Sequence, residues 1–127
     1  MLRYVLNPDK KRSAKAYGRN LRISTKNSVI VCRAINGLRY SKGKKLLEDL
    51  INKKRNLNGK YYTKTATEIL NILESAKNNA EAKGLDINKL VIHASAHKGF
   101  RFYTPRRFKL RRRSTKNTNI QIILEER

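Results

Sequence analysis

The chain has 127 residues, with 31 Lys and Arg against nine Asp and Glu, a formal net charge of +22 and 39% hydrophobic residues. That length fits one domain with a modest core, and the charge excess points to a polyanionic partner. The sequence has no apolar run near the ~20 residues a membrane span needs, and its single cysteine, Cys32, excludes an intrachain disulfide.

In chain order, the first residues, MLRYVLNPDKKR, lack the apolar stretch of a signal peptide. Together with the lone cysteine this predicts a reducing, cytoplasmic location. Asn7-Pro8-Asp9 marks a turn. Residues 1–18 show little periodicity, and the basic run Lys10–Gly18 reads as an extended arm that orders on its partner. A short strand is expected at Leu21-Arg22-Ile23. A first helix follows over Asn27–Asn36, with Ser24 or Thr25 before it and Gly37 as a left-handed C-cap. Its β-branched run Val29-Ile30-Val31 makes it dependent on burial. Tyr40-Ser41 opens a second helix, whose Leu46, Leu47, Leu50 and Ile51 share one face. The third helix is the clearest: Thr65-Ala66-Thr67-Glu68 reads as a capping box. Ala66, Ile69, Leu70, Leu73, Ala76 and Ala80 keep its period, and Lys83-Gly84 closes it.

Leu90–His97 (LVIHASAH) then alternates as a strand, with Leu90, Ile92, Ala94 and Ala96 on one face. Ile120, Ile122 and Leu124 return as its partners. Between them, Lys98–Arg113 (KGFRFYTPRRFKLRRR) holds eight Lys or Arg in 16 residues and no acid, with Phe100, Phe102, Tyr103 and Phe108 among the cations. Two apolar strands joined by such a segment read as a long β-hairpin with a packed base and a projecting end, its arms running ~30 Å past the core at the usual rise per residue. Pro105 cannot donate to a ladder and marks where the tip begins. The fold class is α+β: a small three-stranded sheet, three helices on one face of it, and a long protruding hairpin. The expected division of a single domain is an arm at 1–18, a strand and three helices at 19–89, and the hairpin at 90–126, with its tip near 104–113.

Charge is segregated along the chain. Residues 10–47 carry 12 Lys or Arg and residues 87–124 carry ten, and neither block contains an acid. A surface evolved only for solubility mixes both signs. Two acid-free blocks flanking a mixed middle imply a large face set against phosphate. Aromatic residues among cations can stack on unpaired bases. Enzyme signals are lacking. His93 and His97 share a strand face, yet Cys32 is the only other soft ligand and a structural zinc site wants four. Cys32 lies in an apolar helical run, where cysteine serves as a small hydrophobe. No metal, cofactor or catalytic residue is expected.

Particular residues carry a family resemblance over nearly the whole chain: Arg3-Tyr4 with Asn7-Pro8, Gly18–Ser24 (GRNLRIS), Lys26-Asn27, Ala34–Leu38 (AINGL), and above all Glu74–Leu90 (ESAKNNAEAKGLDINKL) leading into the hairpin. The chain resembles the universal large-subunit ribosomal proteins numbered twenty-two in bacteria and seventeen in animals, in the archaeal and eukaryotic branch. The resemblance implies a structural constituent of the large ribosomal subunit, located in cytoplasmic ribosomes. Its hairpin would pass through the large-subunit RNA to line the nascent-peptide exit tunnel. The implied partners are that RNA, neighbouring ribosomal proteins and, transiently, the nascent peptide, with no membrane and no homo-oligomer.

Carried over, the RNA-binding residues are Arg12, Lys15, Arg19, Arg22, Lys26, Lys42, Lys44, Lys45, Lys98, Arg101, Arg106, Arg107, Lys109, Arg111, Arg112, Arg113 and Lys116. The tunnel tip comprises Thr104, Pro105, Arg106, Arg107, Phe108, Lys109 and Leu110. Two departures stand out: only Asn52–Lys64 is available where that branch carries a long insertion, and the tip is a few residues short without the usual Gly. A free, non-specific nucleic-acid-compacting protein is the alternative that composition alone allows.

Overall fold

The structure, a computed structural model, describes residues 3–127. In chain order the elements are β1 (Ser13–Leu21), α1 (Thr25–Ile35), α2 (Tyr40–Ile51), α3 (Thr63–Ala82), β2 (Leu90–Lys98), β3 (Phe102–Tyr103), β4 (Ser114–Thr115) and β5 (Thr118–Glu126), with 3-10 turns at Ile87–Lys89 and Phe108–Leu110. This is the expected α+β architecture.

The alternation read along the hairpin base is matched by the pairing of its strands. β2 and β5 pair antiparallel, with Ile92 opposite Leu124, Ala94 opposite Ilе122 and Ala96 opposite Ile120. The third strand is a correction. Much of the segment expected to be a free arm is β1, which pairs with the other edge of β5: Ala14 faces Leu124, Ala16 faces Ile122 and Gly18 faces Ile120. The strand expected at Leu21–Ile23 contributes only its first residue. β5 is therefore central, in the order β1-β5-β2. The first two residues of the expected arm lie outside the described residues.

The pairing explains the composition. On the inner face, β5 contributes a ridge of fully buried Ile120, Ile122 and Leu124. The strands beside it present mostly alanine and glycine, leaving a trough on each side. α3 packs over the β1 trough and α1 over the β2 trough. The fit is close, since a Cβ on Gly18 would overlap Cδ1 of Ile72 from α3, and one on Gly43 of α2 would overlap Cδ1 of Ile92. The core is completed by Val31, Cys32 and Ile35 from α1, Leu46, Leu47 and Leu50 from α2, and Ile69, Leu73, Ala76 and Ala80 from α3.

The helix ends follow local rules in part. α3 ends as expected in a Schellman motif: Leu85 N donates to Ala80 O at 3.1 Å and Gly84 N to Glu81 O at 2.9 Å, with Gly84 at φ 73°. Its start differs. The helix begins at Thr63, after a left-handed Tyr62, so Thr65 is a buried interior residue and no capping box forms. Helix growth past the box is supported by the burial of Thr65 and Ala66 in the core. At the end of α1, Gly37 takes φ 80° as expected. Its N–H, however, donates to Ile92 O at 2.8 Å, and Ile92 N donates to Leu38 O at 2.9 Å, so the loop also shields the free edge of β2.

The outer face of the sheet is covered in part by the N-terminal segment. Val5 N donates to Gln121 Oε1 at 3.0 Å and Gln121 Nε2 to Arg3 O at 2.7 Å. The Tyr4 ring stands edge-on to Tyr17 and beneath the Lys15 ammonium. The described part of the arm is thus held by the sheet through named contacts.

Candidate nucleic-acid interface

The regular ladder stops at the pair Lys98–Thr118, where the inward residues cease to be aliphatic. A clamp of three asparagines takes over. Asn20, at φ 51°, a left-handed conformation that asparagine tolerates, donates its N–H to Asn119 Oδ1 at 2.8 Å and accepts from Phe100 N at 2.9 Å through its own Oδ1. Asn117 Nδ2 donates to Phe100 O at 3.0 Å, and Gly99 N donates to Asn117 O at 2.8 Å. A side chain at Gly99 would bring its Cβ within 2.7 Å of Asn20 Oδ1 and 3.2 Å of the Asn117 backbone, so it would displace Asn20 from the clamp. The buried Thr118 hydroxyl, 2.9 Å from Ile23 O and 2.8 Å from the Thr25 hydroxyl, ties the same point to the start of α1.

Beyond the clamp only two pairs form, Phe102–Thr115 and Tyr103–Ser114. The hairpin is therefore not one continuous ladder over its length. Thr104 N donates to Arg113 O at 3.2 Å, and the Thr104 hydroxyl lies 2.6 Å from Leu110 O and 2.9 Å from Arg113 O. These bonds close a loop over Thr104–Arg113, and pairing ends just before Pro105 as expected. Arg106, Arg107, Phe108, Lys109, Arg111, Arg112 and Arg113 are exposed, whereas Thr104 and Leu110 are half-buried. Phe100 and Phe102 pack edge to face on the stem with centroids 5.0 Å apart, and both remain largely exposed.

Between the start of α1 and the hairpin root lies a groove of about 550 Å³. Lys26 and Arg33 line it from α1, Lys98 and Arg101 from the ascending arm, and Lys116 from the descending arm. Val29 and Ile30 also line it. No acid does. Four of these five cations are among the residues proposed from the sequence. Arg33 was missed, although its spacing of seven from Lys26 places it on the same helical face. The structure also divides the β-branched run: Val31 is fully buried in the core, while Val29 and Ile30 are half-buried and line the groove. Arg22 joins this region by donating from Nη1 to Lys116 O at 2.8 Å.

The remaining candidates lie elsewhere. Arg12 and Arg19 are exposed at either end of β1, and Lys15 is engaged with Asn7 Oδ1 at 3.1 Å and the Tyr4 ring. Lys42, Lys44 and Lys45 belong to α2. Lys42 and Lys45 are exposed, but Lys44 pairs with Glu74 at 3.4 Å and Glu48 at 3.9 Å, so its charge is partly compensated within the chain. Glu48 and Glu74 thus lie on and beside α2, and at the end of β5 Glu125 meets His93 at 3.0 Å and Arg127 at 3.1 Å. The groove, in contrast, is lined by cations and no acid.

Among the described residues no three of His, Cys, Asp and Glu come together as a metal site, and no helix is long and apolar enough to cross a membrane. Burial pushes the Cys32 thiol from 9.0 up to about 12, so at pH 8 its thiolate form is suppressed. We expect iodoacetamide to label the native chain far more slowly than the urea-unfolded chain. Equal rates in the two states would contradict the burial.

The fold and its surface define a small, basic architectural protein, with its charge displayed along a hairpin and a groove rather than gathered around a reactive group. Residues 16–125 match the family described as ribosomal protein L22p/L17e. The chain belongs to that family, whose role is structural and non-enzymatic. It is 37% identical to the large ribosomal subunit protein uL22 of Methanococcus maripaludis over 98% of this chain and 97% of that one. To the uL22 of Methanopyrus kandleri it is 39% identical, over 94% and 90%. The first of these alignments runs over 150 positions, so the Methanococcus protein has at least 23 residues without a counterpart in this 127-residue chain. The archaeal likeness agrees with the branch that the resemblance named, and the residues without a counterpart agree with the chain being shorter than that branch.

Proposed function

We propose that this chain is a structural constituent of the large ribosomal subunit in the cytoplasm, acting as one ribosomal-protein domain that binds large-subunit RNA and stabilises its assembly. The observation that carries the reading is the acid-free surface running from α1 through the groove to the hairpin tip. Cations there neutralise crowded phosphates and release condensed counterions. The clamp at the root holds the hairpin out from the sheet, so its tip reaches where a globule cannot. The loop Thr104–Arg113 would line the peptide exit tunnel and meet the nascent peptide transiently, with Arg106, Arg107, Lys109 and Arg111 toward RNA or tunnel. The names of the archaeal relatives support the subunit assignment.

The test is a sucrose gradient of native lysate probed with an antibody to this chain, run in moderate salt and again after a high-salt wash. Persistence in large-subunit and monosome fractions under both conditions is expected. Sedimentation near the top, or loss at the first salt step, would favour a free nucleic-acid-compacting protein.

A further inference from the structure

Phosphate recognition needs exposed cations, but it has no use for an aliphatic floor. The groove between α1 and the hairpin root has both. Lys26, Arg33, Lys98, Arg101 and Lys116 surround it, while Val29 and Ile30 reach into it instead of joining the core. Its volume of about 550 Å³ lies within the roughly 300–1,000 Å³ of pockets that hold small ligands. Partly exposed apolar side chains are common on protein surfaces. What singles these two out is that they line one concavity with five cations and no acid, so the ligand that fits it combines an apolar face with negative charge.

Resting on the RNA-binding reading above, we propose that this groove holds a single unpaired nucleotide of the RNA. Its base lies on Val29 and Ile30, and its phosphates meet Lys26, Lys98 and Lys116. An unpaired nucleotide combines a flat apolar face with an adjacent negative charge, whereas a duplex hides its base faces in the stack. The guanidinium planes of Arg33 and Arg101 can stack on the exposed side of the base, as single-stranded RNA recognition uses them.

The experiment uses the full chain with three probes: a single-stranded oligouridine or oligoadenosine hexamer, an RNA duplex and inorganic phosphate. Methyl NMR signals of Val29 and Ile30 should shift with either hexamer and stay in place with phosphate. Ile30→Ser should weaken hexamer binding about tenfold through lost apolar contact, leaving duplex affinity and its salt slope unchanged. Should Ile30→Ser melt early, Val29→Thr, which keeps the side-chain shape, gives the same comparison. Equal shifts with phosphate and hexamer, equal weakening toward hexamer and duplex, or unmoved methyls in a chain that binds RNA would each overturn the nucleotide site. The last result would leave an acidic, apolar protein segment as the occupant. A wild-type chain with no salt-dependent RNA affinity would instead remove the RNA reading itself.

Discussion

Converting Arg111, Arg112 and Arg113 together to alanine will weaken binding to large-subunit RNA about a hundredfold near physiological salt, and will lower the salt slope by about two to three, if each side chain neutralises one phosphate. The thermal midpoint of the isolated chain will barely move. All three side chains are exposed, and exposed substitutions usually change stability by less than ~0.5 kcal/mol. Closure of the tip uses the backbone carbonyl of Arg113 and the hydroxyl of Thr104, which the substitutions retain. The left-handed backbone at Arg112 is no worse for alanine than for arginine. Filter binding across a salt series and a calorimetric melt separate the two effects. A loss of chain stability as large as the loss of affinity would mean that the tip is part of the fold, and would count against an RNA-held hairpin.

Ile122→Ala should have the opposite profile. Ile122 sits on the central strand, fully buried, with Ala16 opposite on one side and Ala94 on the other. Neither neighbour is large enough to fill the space it leaves. The variant should lose about 3–5 kcal/mol, the upper part of the range for such truncations. A domain of this kind has only about 5–15 kcal/mol in total, and this one also carries a net charge of +22 that opposes compaction. Urea titration should show a lower midpoint with an unchanged slope, and polyanions should restore part of the loss by binding the native state. A cost below ~1 kcal/mol would mean that the ridge-and-trough packing is looser than described.

Much of the hairpin and of the charge separation was legible in residue order alone. Large β-branched side chains at period two leave a strong signal, so the inward sets Leu90, Ile92, Ala94, Ala96 and Ile120, Ile122, Leu124 followed from the alternation, while the register Ile92–Leu124 and Ala96–Ile120 came from the structure. Gly37 and Gly84 announced their helix ends because left-handed backbone favours glycine. β1 was read as an arm because its inward residues are Ala14, Ala16 and Gly18. Small residues carry little hydrophobic periodicity, and they become meaningful only opposite the ridge of β5 and beneath α3. The capping box failed for a related reason: tertiary burial of Thr65 and Ala66 outweighed a local pattern that would have started the helix later.

The candidate interface divides in the same way. The sequence by itself determined a basic α+β protein with two acid-free blocks and a cationic, aromatic hairpin loop, since composition and local periodicity are properties of neighbouring residues; the family came only from the resemblance of particular segments such as Glu74–Leu90. Only the tertiary structure decided that Lys26 and Arg33 meet Lys98, Arg101 and Lys116 in one groove over Val29 and Ile30, and that Lys44 is drawn into an ion pair. The groove depends on residues more than sixty positions apart being brought together by the pairing of β2 with β5 and by the packing of α1 against the sheet, and the ion pair depends on the packing of α2 against α3; no local pattern encodes either meeting.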